Sequence, residues 1–348
     1  MASYKIALIP GDGIGVEVAD AARFVFDKLG ENFNLNFNFI TCEAGLDAWK
    51  NYGSQVPDET LEIIRETKIA YYGAATTLPG PKTPKSVAVT LRQAFDLYAN
   101  VRPARSRAGV PNPLNRYDID LVVVRENTEG LYSGLEMKLT DEVSIGINKI
   151  TKKGSKRVAE YAFNLAGDRR KKVTAAHKAN ILKESHGLFR MVCEDVSKNY
   201  PGIEFNDIFA DALAMDLLRR PETYDVIVAT NLIGDIISDE CSAIVGGLGL
   251  APSANIGENY ALFEPVHGSA PDIAGRGIAN PVAMILSGAM MLEHLKEHKV
   301  AGALRQAVDD MLLEGKVLTP DLGGSAKTMD VAGEICRKLA EAAEGNGG

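Results

Sequence analysis

The 348 residues, 46% hydrophobic and 24% charged, suit an ordinary soluble chain with room for two domains around large cores. A net charge of −8 argues against nucleic acid as a general partner, and the longest apolar run, residues 282–292, is too short to cross a membrane. Four scattered cysteines (Cys42, Cys193, Cys241, Cys336) with no CxxC argue against a disulfide scaffold or a zinc site. Together with an opening M-A-S-Y-K-I-A-L-I that has no signal-peptide pattern, they lead to the expectation of a cytoplasmic protein.

In chain order, apolar β-rich runs predict buried strands at residues 4–9, 69–72, 121–124, 172–176 and 226–229. Between them, helical patterns cover 16–29, 59–66, 86–97, 154–165 and 187–198. That alternation predicts an α/β protein with a largely parallel sheet. Residues 132–150 differ: short alternating runs with Gly and Asp turns predict antiparallel strands suited to an interface arm. The last hundred residues return to helices at 281–295, 301–313 and 330–342, an order that suits a second domain inserted into a first. Residues 169–172 (R-R-K-K) read as a solvated basic turn. His294 and His298, four apart with no third ligand nearby, read as solvent-facing residues of one helix.

Several segments carry chemistry. Residues 10–15 (P-G-D-G-I-G) follow a strand and open a helix, but a dinucleotide fingerprint from Gly11 needs glycine where Val16 stands, so a tight turn is expected. Residues 264–281, E-P-V-H-G-S-A-P-D-I-A-G-R-G-I-A-N-P, have neither helical nor strand period yet carry Glu264, His267, Ser269, Asp272 and Asn280. Their glycines permit close approach of backbone to a flat or phosphorylated ligand. Asp235 and Asp239 are four apart on a helical pattern, so both carboxylates share one face and repel unless a cation lies between them. A solvated acidic face and an oxygen-ligated Mg²⁺ or Mn²⁺ are both open at this point, with Asp211, after the strand-like run at 208–210, as a third ligand. Arg92, Arg102 and Arg125 each sit beside an apolar run and need anionic partners, which suggests a small polycarboxylate substrate. Lys178 is a candidate base with a depressed pKa and Tyr132 a candidate proton donor.

The motifs Y-A-N-V-R-P, V-R-E-N-T-E-G-L-Y, H-K-A-N, N-L-I-G-D-I-I-S-D and V-H-G-S-A-P-D-I-A-G together resemble the β-decarboxylating dehydrogenases, which act on isocitrate, homoisocitrate, 3-isopropylmalate, and D-malate or tartrate. The resemblance runs from G-D-G-I-G to T-P-D-L-G-G, nearly the whole chain. It implies a non-Rossmann α/β fold of the isocitrate/isopropylmalate dehydrogenase type with a mixed sheet. A large cofactor-binding domain would comprise residues 1–100 and 254–348, and a small domain of residues 101–253 would be inserted in it. It also implies a homodimer with shared active sites. Lys178 and Asp211 would come from one subunit, and Arg92, Arg102, Arg125, Tyr132, Asp235 and Asp239 from the other.

By the same resemblance, Ser86 and the three arginines hold the substrate, and Asp211, Asp235 and Asp239 hold Mg²⁺ or Mn²⁺. Lys178 and Tyr132 move protons. Thr77, Glu264, His267, Gly268, Ser269, Ala270, Asp272 and Asn280 bind NAD, with Asp272 at the ribose hydroxyls where a 2′-phosphate would be repelled. The helix bearing Ser86 sets the substrate. Ser86 matches the isocitrate enzymes, but Ala88 replaces their Asn, and homoisocitrate enzymes share that apolar residue. Lys85 and Ser86 suit 3-isopropylmalate poorly. L-Y-S-G-L-E and E-I-C-R-K-L favour isocitrate, with homoisocitrate next. A non-catalytic regulatory subunit is the reading of a different class. Such subunits tend to lose residues that are all present here: Tyr132, Lys178 and the three aspartates.

Overall fold

The computed structural model describes residues 2–80 and 83–345. Its strands are β1 (Ala2–Gly11), β2 (Leu35–Thr41), β3 (Ile69–Ala74), β4 (Ala99–Arg105), β5 (Asp120–Glu126), β6 (Glu136–Lys138), β7 (Ser144–Gly146), β8 (Lys172–His177), β9 (Glu204–Phe209), β10 (Val226–Ala229), β11 (Pro252–Ile256) and β12 (Ala261–Pro265). The helices are α1 (Ile14–Phe33), α2 (Leu46–Tyr52), α3 (Asp58–Thr67), α4 (Val87–Ala94), α5 (Lys152–Gly167), α6 (Ser185–Ser197), α7 (Ala210–Arg219), α8 (Asn231–Ile244), α9 (Val282–His294), α10 (His298–Glu314) and α11 (Thr328–Gly345).

Ten strands make one sheet in the order β2-β1-β3-β12-β11-β4-β5-β10-β8-β9. Both flanks are parallel, as the α/β alternation predicts, while β12, β11, β4 and β5 pair antiparallel in the middle. This central seam escapes a periodicity reading because its strands carry Pro103, Pro252 and Pro265 and polar Asn100, Arg102, Asn255 and Glu264. The polar side chains satisfy one another: Asn100 Nδ2 donates to Ser253 Oγ at 2.8 Å and Asn255 Oδ1 at 2.9 Å. The expected domain limits near residues 100 and 254 fall inside the adjacent strands β4 and β11.

Helix α9 is apolar on nearly every side (V-A-M-I-L-S-G-A-M-M-L) because it is buried against β11, β12 and α1. A side chain at Gly288 would meet the Phe26 ring at 2.5 Å, so α1 and α9 pack at backbone distance there. Among the described residues no helix is long and apolar enough to cross a membrane.

Three local expectations are corrected. Helix α4 stops at Ala94, three residues early, because Asp96 takes a left-handed φ of 46° and Leu97 N–H folds back to Arg92 C=O. His294 ends α9 and His298 begins α10, so they do not share a helix face. The basic turn is tied down although Arg170 and Lys171 stay exposed: Arg169 bonds the buried Asp225 at 2.8 Å and Asp120 at 2.9 Å, and Arg170 bonds the Asp120 carbonyl at 2.7 Å. The predicted antiparallel arm is present as the β6–β7 hairpin.

Candidate active site

Strand alternation builds this site. Arg102 on β4, Arg125 on β5 and Glu264 on β12 are buried near the sheet centre, where α4 brings Arg92 and α8 brings Asp235 and Asp239. Ser86, Ala88, Arg92, Arg102, Glu264 and His267 line a cavity of about 150 Å³. The Ser86 hydroxyl makes no cap bond to α4 and is open to a ligand.

The acid pair does share one helix face. Arg102 Nη1 bridges the two carboxylates, 3.2 Å from Asp235 and 3.1 Å from Asp239, and also bonds Ser238 Oγ at 2.8 Å. Arg125 and the Tyr132 hydroxyl bond Asp235 as well, and Arg125 sits 4.8 Å over the Tyr132 ring. Asn231 Oδ1 takes the other edge of Arg125, at 3.0 and 2.7 Å.

Burial would raise the pKa of Asp235, but Arg125, Arg102 and Tyr132 outweigh it and hold Asp235 below its ordinary value. Burial, with the charge of Asp235, raises Asp239 despite Arg102. Tyr132 is raised by burial and by its bond to Asp235, so it keeps its proton at neutral pH. Burial, then Arg92 and Arg102, push Arg125 down to about 9, and Asp235 opposes them only in part. Arg92 bonds Glu264 at 2.8 Å. The Nε atoms of Arg92 and Arg102 are buried with no partner among the described residues.

Lys178 and Asp211 stand elsewhere. Asp211 lies on the first turn of α7, after β9, and its carboxylate is 2.5 Å from Lys178 Nζ. That bond holds Asp211 below the usual carboxylate range. Among the described residues of one chain no three His, Cys, Asp or Glu side chains lie close enough to share a metal. Asp211 is therefore not gathered with Asp235 and Asp239 inside a single chain. His186 supports the Lys178 backbone, accepting its N–H at Nδ1 at 3.0 Å, and burial pushes this imidazole down to about 4.

The loop at 264–281 divides into parts. Glu264 and Pro265 finish β12, contrary to the reading of the whole segment as irregular, and Glu264 Oε1 accepts from Arg92 and Asn255, both at 2.8 Å. Its place is therefore beside the arginines, where it orients Arg92. His267 Nδ1 faces the Gly268 carbonyl at 3.0 Å, while its buried Nε2 has no partner. Asn280 is engaged, its Oδ1 accepting from Val282 N–H and its Nδ2 donating to Asp321, both at 3.0 Å. Thr77 and Asp272 are exposed, and Ala270 has a left-handed φ of 38°.

The tight turn at 10–15 anchors this loop, which sequence reading did not anticipate. Ile14 N–H bonds the Ser269 carbonyl at 2.8 Å, and a side chain at Gly13 would strike that carbonyl. Asp12 accepts from Leu46 N–H at 3.0 Å, from Thr76 N–H at 2.8 Å and from the Thr76 hydroxyl, whose oxygen lies 2.7 Å from Ser269 Oγ. An aspartate between two glycines after a strand was the available signal. Asp12 thereby ties Thr76, the neighbour of Thr77, to the loop carrying Asp272.

Residues 5–335 match the family model for isocitrate/isopropylmalate dehydrogenase. The chain is 49% identical to the 3-isopropylmalate dehydrogenase of Archaeoglobus fulgidus, over 96% of this chain and 99% of that one. It is 50% identical to an isocitrate/homoisocitrate dehydrogenase of Thermus thermophilus, over 94% and 96% of the two chains. The crystal structure of isocitrate dehydrogenase from Methylococcus capsulatus superposes with a TM-score of 0.91 at 46% identity, covering 97% of this chain and 99% of that one. Sequence and fold thus agree that the chain belongs to the isocitrate/isopropylmalate dehydrogenase family of oxidative decarboxylating dehydrogenases.

Proposed function

We propose that the protein oxidatively decarboxylates isocitrate to 2-oxoglutarate with NAD and Mg²⁺ or Mn²⁺, as a homodimer whose active sites are shared. The observation that supports the substrate reading is that Arg92, Arg102 and Ser86 line one cavity. Two guanidiniums and a hydroxyl suit a substrate with several carboxylates. Homoisocitrate is the second reading, because the small Ala88 lines the same cavity and leaves space for a longer chain.

The residues suit the two bound groups. Asp235 and Asp239 offer hard oxygen ligands around a position that Arg102 bridges, and Asp211 of a second copy would complete the set. A divalent ion there would supply Lewis acidity toward the hydroxyl, the neighbouring carboxylate and the enolate. The open space at Gly268 and Gly275 suits an adenosine, and exposed Asp272 favours a free ribose 2′-hydroxyl over a phosphate.

Within that frame the arginines and Ser86 hold the carboxylates. Lys178 of the second copy assists loss of the hydroxyl proton, and a bound nicotinamide would accept the hydride. The ketone formed is β to a carboxylate, so CO₂ departs. Protonated Tyr132 then returns a proton to carbon. The second copy is further supported by apolar side chains left exposed on one chain: Met137 and Leu139 on the arm, Ile181 near Lys178, Met215 on α7 and Ile236 on α8.

Kinetics of the purified protein with isocitrate, homoisocitrate, 3-isopropylmalate and D-malate, each with NAD and NADP, test this reading. Isocitrate with NAD is expected to give the highest kcat/KM. A preference for NADP of about tenfold, ~1.4 kcal/mol, contradicts the role of Asp272.

A second expected outcome concerns Gly234 on α8, where a Cβ would lie 2.7 Å from Cβ and Cγ of Arg125. Gly234→Ala displaces Arg125, so KM for the acid substrate should rise about tenfold while KM for NAD stays unchanged. Equal changes in both constants would contradict a substrate-side role for Arg125.

A further inference from the structure

A second cavity, about 520 Å³, lies on the other face of the same central strands. On β4, Arg102 points to the catalytic cavity, whereas Val101, Pro103 and Arg105 line this one. On β12, Glu264 faces the first and Phe263 the second. Its size lies in the range of small-molecule sites, roughly 300–1,000 Å³.

The lining is amphiphilic. Buried Val101, Phe263 and Leu286 form an apolar floor. Five cationic side chains, Arg105, Arg107, Arg169, Lys296 and Arg305, surround it, and four carboxylates, Asp120, Asp225, Glu293 and Asp309, pair with the arginines, which leaves a surplus of one positive charge in a chain whose net charge is −8. Arg107 and Arg305 are paired with Asp309 and Glu293, and Arg169 with Asp120 and Asp225. Arg105 reaches only Asp309, at 3.7 Å, and Lys296 has no ion-pair partner among the described residues. The cations also work against one another: burial, then Arg105 and Arg305, push Arg107 down to about 10. An apolar floor with surplus positive charge at its rim is complementary to an anion that has an apolar body.

We propose that this cavity binds a small organic anion with an apolar body and a phosphate or carboxylate head. It is separate from the catalytic cavity, and the inference does not depend on which acid is the substrate.

Calorimetric titration of the full-length protein with phenyl phosphate and with phthalate tests it, the two probes distinguishing a phosphate from a dicarboxylate head. One molecule per chain should bind with Kd below about 1 mM, and inorganic phosphate should bind more weakly, since it lacks the apolar body. Binding should persist in Arg92→Gln and weaken at least tenfold in Arg105→Gln/Arg305→Gln. If that double variant does not fold, Lys296→Gln, at an exposed turn, should weaken binding about threefold. The proposal is overturned if neither probe binds, if inorganic phosphate binds as tightly, or if binding is lost in Arg92→Gln but kept in the rim variants.

Discussion

Lys178→Ala is expected to lower kcat by about three orders of magnitude while leaving the fold and NAD binding intact. Lys178 is half-buried, and its only ion-pair partner among the described residues is Asp211, which is 69% exposed. Removing the ammonium therefore strands no buried charge, and the melting temperature should move little. The neutral His186 continues to hold residue 178 through its backbone N–H, which does not depend on the side chain. Activity within tenfold of wild type in a folded variant would remove Lys178 from the mechanism.

The second large effect is expected from Asp235→Ala, on stability and turnover together. Asp235 pairs with Arg102 and Arg125, whose side chains are 7% and 1% exposed. Breaking such a pair leaves guanidinium charge buried and costs about 3 kcal/mol, the lower end of the usual range because Asn231 still bonds Arg125. Asp239→Ala should cost less, since Asp239 is 54% exposed and among the described residues pairs with Arg102 alone. The pH dependence follows from the direction of each shift. The folded-state pKa of Asp235 is depressed, so its stabilisation is present in full above the unfolded carboxylate value near 4 and is lost as pH falls through the lower folded value. Asp239, raised in the fold, has the opposite sign: its ionisation above the unfolded value works against stability. Chemical denaturation from pH 3 to 7 should show the acid-side loss shrink in Asp235→Ala. An unchanged midpoint at pH 7 would contradict the buried-pair account.

Strands β1, β3, β5, β8 and β10 and most helices were legible because period and punctuation agree there, as in K-I-A-L-I-P-G at β1, while the edge strand β2 was not read. Strands β4, β11 and β12 of the central seam were not legible either, since their prolines and polar residues make sense only once Asn100, Asn255, Glu264 and Arg92 meet across antiparallel strands. Side chains close in sequence were read well: Asp235 and Asp239 do reach one cation, though in this chain it is Arg102. Long-range ties were out of reach. Nothing local to Asp12 says that it would bond Leu46 and Thr76, or that Glu264 would turn away from the loop toward Arg92. Substrate identity stays outside the sequence for a similar reason: it depends on the space between Ser86, Ala88 and the bound acid.

The central claim is that each active site is shared, with Lys178 and Asp211 from one chain and Tyr132, Asp235 and the arginines from the other. Mixing Lys178→Ala with Tyr132→Phe under subunit exchange measures this most directly. Each variant alone should be nearly inactive. Random pairing makes half the dimers mixed, each with one intact site, so activity should recover to about a quarter of wild type. No recovery, with exchange verified by mass, would place Lys178 and Tyr132 in the same chain's site and contradict the account.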